Sequence, residues 1–489
     1  MPSIYDKLIF NLSADGTEGI SLPDIDVPET ELAEAIPADC LRRKEPDLPS
    51  VAEPEVIRHF ISLSIKNHHL DKGFYPLGSC TMKYNPKINE YLARSHRFTL
   101  AHPHSPDEAV QGTLALLYDL SAMLCEIAGM DAVTLQPAAG AHGEFTALLM
   151  IRAYHRAGRR EPRKVVIPDS AHGTNPASVA MAGYEIIQIP SNSEGRVDLE
   201  KLASHCNDDL AAFMLTNPNT LGLFESEIQK IAHLVHEAGG MLYMDGANLN
   251  ALLGIARPGD MGFDVVHFNM HKTFSTPHGG GGPGAGALGV KSNLEPFLPV
   301  PIIEKKNNRK GGDIYHLEYK RPKSIGRVHG FYGNIGNLIR AYCYIRQLGA
   351  DGLGEVSETA IINAAYLREK LRHRFELPFG DGTMHEFVLS GARQKSQGVR
   401  TLDIGKRILD FGVHAPTVYF PLIVPEALMI EPTETESKAS LDNFIQIMLN
   451  IADEAEQNPD LVRSAPHTTP VFRLDEARAA RDPDISYQD

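Results

Sequence analysis

The chain has 489 residues, of which 43% are apolar and 22% are charged, a composition typical of a soluble globular enzyme. This length exceeds what a single hydrophobic core usually holds, so we expect two or more domains. The sequence has no run of about 18 or more apolar residues, which argues against a membrane span, and its net charge of -15 argues against a general nucleic-acid-binding protein.

The cysteines and the N-terminus both indicate a reducing, cytoplasmic environment. The five cysteines are widely spaced and form no CxxC pair, so no disulfide framework is expected. The first residues, MPSIYDKLIFNLSADGTEG, lack the basic segment and the apolar segment of a secretory signal. We therefore expect a cytoplasmic protein.

Residues 1–60 are rich in Pro, Asp and Glu, and this composition predicts an extended N-terminal arm with short helices rather than a core. Such an arm suits contact with a partner subunit. We expect residues 61–110 to form a further N-terminal segment that contributes to the active site, and residues 111–335 to form a large domain.

Short apolar runs alternate with helical patterns through the predicted large domain, which favours a mainly parallel sheet with helices on both faces. Seven strands are predicted, at residues 131–135, 164–168, 184–190, 211–215, 241–245, 264–268 and 286–290. In such α/β sheets ligands bind beyond the carboxyl ends of the strands, so the residues that follow each strand are the first candidates for function.

Residues 335–372 predict a long helix that leads into a smaller C-terminal α+β domain, residues 336–489. In this domain the apolar runs EFVLS and VYFPLIVP flank a helical IGKRILDFG, and LDNFIQIMLNIADEAEQ predicts a final helix. Before the long helix, residues 305–327 hold eight Lys or Arg against two acids. This excess indicates either a solvated loop or a patch for phosphate, carboxylate or an acidic partner.

The first predicted strand leads through a turn of small residues, Ala138 to Ala141, into a helix. Small residues let the backbone approach a ligand, and the free N–H groups at a helix start favour an anion. Many strand–helix turns bind nothing, so this signal is weak by itself. His142 lies at the mouth of the turn, where its ring is either an ordinary polar loop residue or a surface that stacks on a planar ligand.

Two further strand ends carry polar residues. Thr216 and Asn217 follow the strand AAFML ahead of a proline turn, a common arrangement that by itself favours no function. Asp245 ends the strongly apolar strand MLYMD, where a carboxylate is costly unless a cation faces it. A helix cap or a buried ion pair would also explain Asp245.

Lys272 follows the strand DVVHF in the stretch FNMHKTFSTPHGGGGPG, 27 residues after Asp245. A Walker loop requires its glycines before the lysine, and here they follow it. The dinucleotide pattern GxGxxG is absent after the first strand as well. Lys272 is therefore a poor candidate for a nucleotide-phosphate clamp, and a surface charge or a nucleophile remains.

Together these strand ends fit one ligand, a flat anionic aldehyde with a pyridine ring. The turn at Gly140 suits its phosphate, and Asp245 would keep its ring nitrogen protonated. Thr216 and Asn217 would meet the ring hydroxyl, and Lys272 would form a Schiff base with the aldehyde. This is the chemistry of pyridoxal 5'-phosphate, which is the expected cofactor, and no metal is expected.

The sequence resembles the glycine dehydrogenase (decarboxylating) family, the pyridoxal-phosphate P-proteins of the glycine cleavage system. The matching stretches extend through most of the chain, and several are long and unusual: LGSCTMKYNP, QPAAGAHGE, DSAHGTNPAS, TNPNTLGLFE, MDGANLNA, NMHKTFSTPHGGGGPG, HGFYGN and YFPLIVPEALMIEPTETES. The resemblance implies a fold type I pyridoxal-phosphate enzyme in which Lys272 carries the cofactor. We expect Lys272, His142 and Asp245 to be catalytic, with further cofactor contacts from Gly140, Ala141, Thr216, Asn217, Ala247 and His271.

The resemblance also implies a reaction. Glycine loses its carboxyl group as CO2, and its aminomethyl group passes to the lipoyl arm of a carrier, the H-protein. The candidates for binding the glycine carboxylate are Ser79, Thr81 and His385. Single-chain members of the family are twice as long, and this chain matches their C-terminal half. It therefore resembles subunit 2 of the two-subunit form, which implies subunit 1 as a partner in a heterotetramer with two copies of each chain.

Two other hypotheses remain at this point. Another fold type I enzyme, a cysteine desulfurase or an amino-acid decarboxylase, would have similar strand ends. A desulfurase also needs a catalytic cysteine on a mobile loop, for which Cys80 is the candidate at an unusually early position. A non-catalytic subunit that kept the fold would normally have lost Lys272 and Asp245, and both are present.

Overall fold

The computed structural model describes residues 4–44, 46–102, 105–279, 282, 284–308 and 312–485. It separates into two compact units, one formed by Met1–His69 with Thr469–Val471 and the other by Leu70–Thr468 with Phe472–Asp489. The first unit consists of short elements and one longer helix: two 3₁₀ helices at Ile4–Asp6 and Ile9–Leu12, helix α1 at Leu32–Ala35 and helix α2 at Glu53–Lys66. Several large apolar side chains of this unit are exposed, including Leu22 and Phe60.

The second unit contains the other helices. Its 3₁₀ helices lie at Asp107–Ala109, Pro258–Met261 and Glu295–Phe297. Its α-helices are α3 (Lys87–Ala93), α4 (His96–Thr99), α5 (Gln111–Ala128), α6 (Gly140–Ala157), α7 (Thr174–Met181), α8 (Leu199–His205), α9 (Ile228–Glu237), α10 (Ile335–Leu371), α11 (Ala392–Lys395), α12 (Thr401–Asp410), α13 (Lys438–Gln457), α14 (Pro459–Arg463) and α15 (Glu476–Arg481). The predicted long helix corresponds to α10, which is interrupted at Gly349, where φ is 66°.

All seven strands predicted for the large domain are present in one sheet. They are β1 (Ala132–Thr134), β2 (Lys164–Pro168), β3 (Glu185–Ile189), β4 (Leu210–Thr216), β5 (Met241–Gly246), β6 (Val265–Asn269) and β7 (Gly286–Val290). Their order across the sheet is β1-β7-β6-β5-β4-β2-β3. β7 runs antiparallel to both of its neighbours, and the pairs from β6 to β3 are parallel. The prediction of a mainly parallel seven-stranded sheet is therefore confirmed.

The sheet is covered on both faces, which explains why its strands are almost continuously apolar. Successive side chains of a strand point to opposite faces, and Leu242 and Tyr243 of β5 accordingly belong to two different core clusters. Helices α5, α9 and α10 cover the face that includes Leu242, and α6 and α7 cover the face that includes Tyr243. Strands β4, β5 and β6 are buried along their whole length, so their carboxyl ends present polar groups in a dry environment.

A small antiparallel sheet forms the centre of the C-terminal α+β domain. Its order is β10-β12-β11, with β10 at Phe387–Ser390, β11 at Thr417–Val418 and β12 at Ala427–Ile430. Of the run VYFPLIVP only Val418 belongs to this sheet, as the second residue of β11, and the middle strand β12 was not predicted. A distant segment also joins β12, because Leu77 forms a β-bridge with Ile430 and the Gly78 N–H donates to the carbonyl of Met429.

The basic stretch at 305–327 includes most of a β-hairpin, so the interpretation as a solvated loop is wrong for its first half. Strand β8 at Ile302–Asn308 pairs with β9 at Gly312–Glu318, and the residues between them lie outside the described part of the chain. Nζ of Lys305 forms an ion pair with Asp313 at 2.7 Å. Among the described residues, none of the helices combines the length and the apolar character that crossing a bilayer would need.

Candidate active site

Three neighbouring strands bring polar residues to the same region of the sheet. Thr216 at the end of β4 pairs with Asp245 of β5, and Asp245 pairs with His267 of β6. Oγ1 of Thr216 is buried and has no hydrogen-bond partner among the described residues. The side chain of Asn217 instead supports its own turn, because its Oδ1 accepts a hydrogen bond from the Glu225 N–H at 2.9 Å. Of the two predicted residues at this strand end, Thr216 is the one with a free polar group.

Asp245 is a buried carboxylate with polar partners on both oxygens. Nδ1 of His172 lies 2.7 Å from Oδ2, which also accepts a hydrogen bond from Nδ2 of Asn175 at 2.9 Å. Oδ1 accepts from the Ala247 N–H at 3.0 Å and lies 3.3 Å from Nε2 of His267. Burial alone would raise the pKa of Asp245, but the two histidines and Asn175 outweigh it and hold the pKa well below its usual value. The carboxyl group is therefore ionised.

The histidine behind Asp245 is fixed by a further buried contact. Nδ1 of His267 lies 2.7 Å from the Tyr243 hydroxyl. A carboxylate oxygen of Glu144 lies within 4.8 Å of polar atoms of Asp245 and His267, and Glu144 accepts a hydrogen bond from Oγ of Ser178 at 2.8 Å. Because each of these side chains is buried and held by a neighbour, the orientation of Asp245 is determined by the core of the large domain.

The turn of small residues lies at the start of helix α6, as predicted for an anion site. Ala139 at the N-cap offers no capping side chain, and the Gly143 N–H donates to the carbonyl of Ala139. The N–H groups ahead of Gly143 belong to the free first turn, where a helix attracts anions. A Cβ atom on Gly140 would lie 2.0 Å from Oδ1 of Asn269, so only glycine lets the turn approach the loop that follows β6.

His142 follows this turn, and one of its ring nitrogens is already engaged. Its Nδ1 accepts a hydrogen bond from the Ala138 N–H at 3.1 Å, and its ring centroid lies 6.3 Å from that of His329. Burial and the neighbouring His329 lower the pKa of His142. A neutral ring with one nitrogen fixed suits stacking against a flat ligand, and this stacking stays a prediction.

Lys272 lies in a tight turn directly after β6. Its N–H donates to the carbonyl of Asn269 at 3.0 Å, and its Nζ donates to the carbonyl of Ser79 at 2.7 Å. The rings of His271 and His278 are 5.0 Å apart next to it. Burial, helped by the charge of Lys272, lowers the pKa of His271 to about 4 and that of His278 to about 3. Both histidines are therefore neutral at physiological pH and add no positive charge beside Lys272.

The segment Ser79–Thr81 reaches Lys272 in a strained conformation. φ is 62° at Ser79 and 47° at Thr81, a region that residues other than glycine adopt only when their surroundings impose it. The Ser79 N–H donates to Oε2 of Glu386 at 2.8 Å, and the Thr81 N–H donates to Oε2 of Glu431 at 3.0 Å. Two buried carboxyl groups of the small domain therefore hold this segment in place.

Ser79 connects the lysine to the carboxylate at the end of β5. Its carbonyl accepts from Lys272, and its Oγ lies 2.9 Å from Nε2 of His172, whose other ring nitrogen contacts Asp245. The candidates Ser79, Lys272 and Asp245 thus belong to one connected group. The side chain of Thr81 is buried beside Glu431.

His385 lies beside Glu386 in the interior of the protein. Its Nε2 is 3.8 Å from Oε1 of Glu386, and neither ring nitrogen has a hydrogen-bond partner in the described part of the chain. Burial lowers the pKa of His385 to about 3. A neutral imidazole offers a carboxylate a hydrogen bond but no charge, so any contact of His385 with the glycine carboxylate would be of that kind.

Sequence reasoning missed four residues that shape this site: His172, His267, Glu386 and Glu431. His172 had a usable signal, because it stands shortly after strand β2 in the motif DSAHGTNPAS. Glu386 and Glu431 border apolar strands, where a buried acid is as costly as Asp245 is. His267 lies inside an apolar strand and offered no local signal that separates it from a core histidine.

Two family models match the chain. "Glycine dehydrogenase, C-terminal domain" matches residues 356–467, and "Aminotransferase class-V" matches residues 143–302. Curated relatives match almost end to end. The probable glycine dehydrogenase (decarboxylating) subunit 2 of Chlorobium phaeobacteroides is 61% identical over 97% of this chain and 98% of its own length. The protein of that name from Caldanaerobacter subterraneus subsp. tengcongensis is 58% identical over 99% of each chain.

Solved structures show a similar fold at lower sequence identity. The crystal structure of glycine decarboxylase (P-protein) of the glycine cleavage system, in inhibitor-bound form, has a TM-score of 0.73 at 21% identity and covers 86% of this chain and 94% of its own. The apo structure of cysteine desulfurase from Thermococcus onnurineus NA1 has a TM-score of 0.59 at 16% identity, over 78% of this chain and 95% of its own. These likenesses concern the fold alone.

Proposed function

This chain belongs to the glycine dehydrogenase (decarboxylating) subunit 2 family, and we propose that it carries the pyridoxal-phosphate site at which glycine is decarboxylated. The fold is that of the type I pyridoxal-phosphate enzymes. Identities of 61% and 58% over nearly the whole chain favour this oxidoreductase over a desulfurase, an amino-acid decarboxylase or a non-catalytic subunit.

One observation carries the proposal: Lys272 and the ionised, buried Asp245 are joined through Ser79 and His172 at the carboxyl end of a parallel sheet. That is where α/β enzymes bind their ligands. A buried carboxylate whose pKa is held low can keep a pyridine nitrogen protonated, because the charged hydrogen bond between them strengthens in a dry site.

The other groups at this edge also fit pyridoxal phosphate. The free first turn of α6 suits a phosphate, and Gly140 lets it come close. Buried polar atoms that lack partners among the described residues suit the remaining polar groups of the cofactor: Oγ1 of Thr216, Oδ1 of Asn269, Nδ1 of His271, Oγ1 of Thr276 and Nε2 of His278. Native proteins rarely leave buried polar atoms unpaired, so this group supports a bound polar ligand.

When bound, the cofactor supplies an electron sink for the bond that breaks at the α-carbon of glycine. The residues of the chain create the conditions for that step. Lys272 would hold the cofactor, with its amine directed by the Ser79 carbonyl. Asp245 would keep the ring nitrogen protonated, and the neutral His271 and His278 would leave the charge of the site to Lys272 and the ligand.

His172 must yield part of its contact with Asp245 for this arrangement. A carboxylate has about four lone-pair sites, and Asp245 already faces His172, Asn175, Ala247 and His267. His172 is the most accessible of these partners, with 13% of its side chain exposed. We therefore expect His172 to turn from Oδ2 towards the ligand when the pyridine nitrogen approaches.

Cys80 does not suit the role of a desulfurase nucleophile. It lies in the middle of the strained segment that Glu386 and Glu431 hold. Burial raises the pKa of its thiol even though the charge of Lys272 opposes that shift. A catalytic cysteine is an accessible thiolate, so a half-buried and protonated thiol supports the glycine reaction over sulfur transfer.

We further propose that the aminomethyl group passes to the lipoyl arm of the H-protein and that the working unit is a cytoplasmic heterotetramer with subunit 1. The name of the curated relatives, subunit 2, implies such a companion chain. Lys306, Lys320 and Lys323 are exposed on and after the β8–β9 hairpin, and such positive side chains suit an acidic carrier. Arg309 and Lys310 of the same basic stretch lie outside the described residues.

Borohydride reduction tests the assignment of Lys272. Reduction of the cofactor-loaded chain should fix a pyridoxyl group on the peptide that contains Lys272, and a label on any other lysine would end this interpretation.

Exchange of CO2 with the glycine carboxyl group tests the reaction. It should require the lipoylated carrier and increase strongly when subunit 1 is added, whereas full exchange without subunit 1 would contradict the heteromer.

A further inference from the structure

Two glutamates lie side by side at the end of the small sheet. Glu386 immediately precedes β10 and Glu431 immediately follows β12, and because Phe387 pairs with Ile430, the acids occupy the next cross-strand position. Glu386 is 3% exposed and Glu431 is 0% exposed. One oxygen of each acid and a ring nitrogen of His385 lie within 4.8 Å of one another. Two ionised carboxylates this close in a dry interior would repel each other strongly.

Both acids support the strained segment above Lys272. Each accepts one backbone hydrogen bond, Glu386 from Ser79 and Glu431 from Thr81. A non-glycine residue at positive φ costs of order 1–3 kcal/mol and persists only where the surroundings impose it. The carbonyl of Ser79 in turn accepts the hydrogen bond from Lys272. The position of the lysine therefore depends on the two acids through a short chain of contacts.

The surroundings of each acid favour a proton on the pair. Burial, reinforced by the charge of Glu431, raises the pKa of Glu386 well above its usual value. Burial also raises the pKa of Glu431, although the hydrogen bond from Asn248 opposes that shift. The oxygen of each acid that accepts a backbone N–H can do so whether the carboxyl group is ionised or protonated, so the two backbone hydrogen bonds do not require both acids to be charged. A single proton between them would remove the repulsion and keep both backbone hydrogen bonds.

The groups that face the pair fix its charge at one rather than zero or two. Lys272 is a cation that favours one negative charge, and it acts on both acids. His385 is neutral because burial lowers its pKa to about 3. Burial raises the pKa of the Cys80 thiol, so the thiol is protonated. Neither group compensates a second negative charge.

We propose that Glu386 and Glu431 share one proton and, as a singly charged pair, hold Ser79 and Thr81 so that the Ser79 carbonyl directs Lys272. The two glutamates are positioning residues, since they act through the backbone of another segment. The inference rests on the proposed function for the role of Lys272, and the shared proton can be tested without it.

A shared proton predicts a specific result when either glutamate is replaced by glutamine. In Glu386→Gln or Glu431→Gln, the amide oxygen still accepts the backbone N–H and the amide NH2 takes the place of the shared proton. The pair keeps its single negative charge on the remaining glutamate. In the double variant Glu386→Gln/Glu431→Gln the charge is lost, and in Glu431→Ala the Thr81 N–H loses its acceptor.

The test measures CO2 exchange by the assembled enzyme with subunit 1 and carrier, together with the infrared C=O band of protonated carboxyl groups in the full-length chain. Each single glutamine variant should retain exchange within about threefold, because one hydrogen bond replaces another of similar strength. The double glutamine variant should lose about tenfold or more, because it removes the one negative charge that faces Lys272. Relative to the wild type, each single variant should lose one carboxylic-acid band.

The matched control is Glu386→Gln/Glu436→Gln, which removes the buried carboxyl group of Glu386 and the half-buried one of Glu436 but leaves Glu431 charged. Burial also raises the pKa of Glu436, which contacts Oγ of Ser440. This control should exchange CO2 at the same rate as Glu386→Gln does.

Single variants as slow as the double variant would overturn the proposal. A wild-type carboxylic-acid band that Glu386→Gln and Glu431→Gln leave intact would overturn it as well. So would a chelator-sensitive wild type, because a divalent cation would then replace the proton. Absence of exchange in the wild type would refute the proposed function alone, since the infrared bands still report on the shared proton.

Discussion

Two sets of buried carboxyl groups reach the candidate site, one from each domain. Asp245 comes from the large sheet, and Glu386 with Glu431 comes from the small sheet. All three are buried, and burial by itself raises the pKa of a carboxyl group. The partners of Asp245 oppose that rise, whereas the charge of Glu431 adds to it at Glu386. His172 and Asn175 supply polar partners that hold the pKa of Asp245 low, whereas the neighbour of Glu386 is another acid. The charge of a buried carboxyl group is therefore decided by the partners that its fold supplies rather than by depth.

The same comparison separates two uses of a carboxyl group. Asp245 is held ionised by donors and suits the stabilisation of a positive charge on a ligand. The glutamates hold backbone amides and suit the positioning of a segment. The proposed shared proton would thus place carboxyl groups in two protonation states at one site, an ionised Asp245 and a half-protonated glutamate pair, which is a common arrangement in enzymes that handle protons.

The largest effect is expected for Asp245→Asn, which preserves shape and removes the charge. CO2 exchange should fall by about 10²–10³-fold, as when other preorganised electrostatic contacts are removed. The matched control is Asp264→Asn. Asp264 is a buried acid that precedes β6, with Nε2 of His236 2.8 Å away and a hydrogen bond from the Leu242 N–H. Equal losses in both variants would show that the charge of Asp245 has no special role.

An intermediate effect is expected for His172→Phe, which removes a polar partner from Asp245. The pKa of Asp245 should rise, so the carboxylate should be protonated, and exchange lost, at a higher pH than in the wild type. A shift of about one pKa unit is expected, and because Asp245 stays ionised near neutral pH in both proteins, the loss of exchange should be confined to acidic solution. His172→Asn, which retains a donor, should recover part of this loss. An unchanged acid limb of the pH–rate profile in His172→Phe would contradict the comparison.

The smallest effect is expected for the stability of Glu386→Gln. A carboxyl group whose folded pKa is raised contributes stability that is fully present below its unfolded pKa and is lost as pH rises through the folded pKa. The wild type should therefore lose stability relative to the variant as the solution becomes more alkaline, by of order 1 kcal/mol. This stability difference is measured by the thermal unfolding midpoints of the wild type and Glu386→Gln, recorded from acidic to alkaline pH. A difference that stays constant with pH would show that the pair holds no extra proton.

The large domain was predictable because its signals are local. Each strand of the seven-stranded sheet is a short apolar run, and the rule that ligands bind beyond strand ends led directly to Asp245 and Lys272. The partners of those residues are not local. Ser79 and Glu386 are 307 residues apart, and Thr81 and Glu431 are 350 apart. No periodicity in a single sequence reports such contacts.

The small domain was harder to predict for a related reason. Strand β12 spans only Ala427–Ile430, and the predicted run VYFPLIVP before it contains prolines that limit its own pairing to Val418. The role of the basic stretch at 305–327 was left open because charge excess does not distinguish a loop from an exposed hairpin. In the small sheet and in the basic stretch, the strand pairing involves short strands or distant partners, which the local sequence pattern does not reveal.

The bridge between Leu77 and β12 has a consequence for the order in which contacts form while the chain is being synthesised. Leu77 and Ser79 leave the ribosome early, but their partners Ile430 and Glu386 leave it much later, after Lys272 and the whole large sheet. Contacts of such large sequence separation form late, because the intervening chain must first become ordered. We therefore expect a growing chain to display Lys272 on a finished sheet before the segment that directs it has found its place.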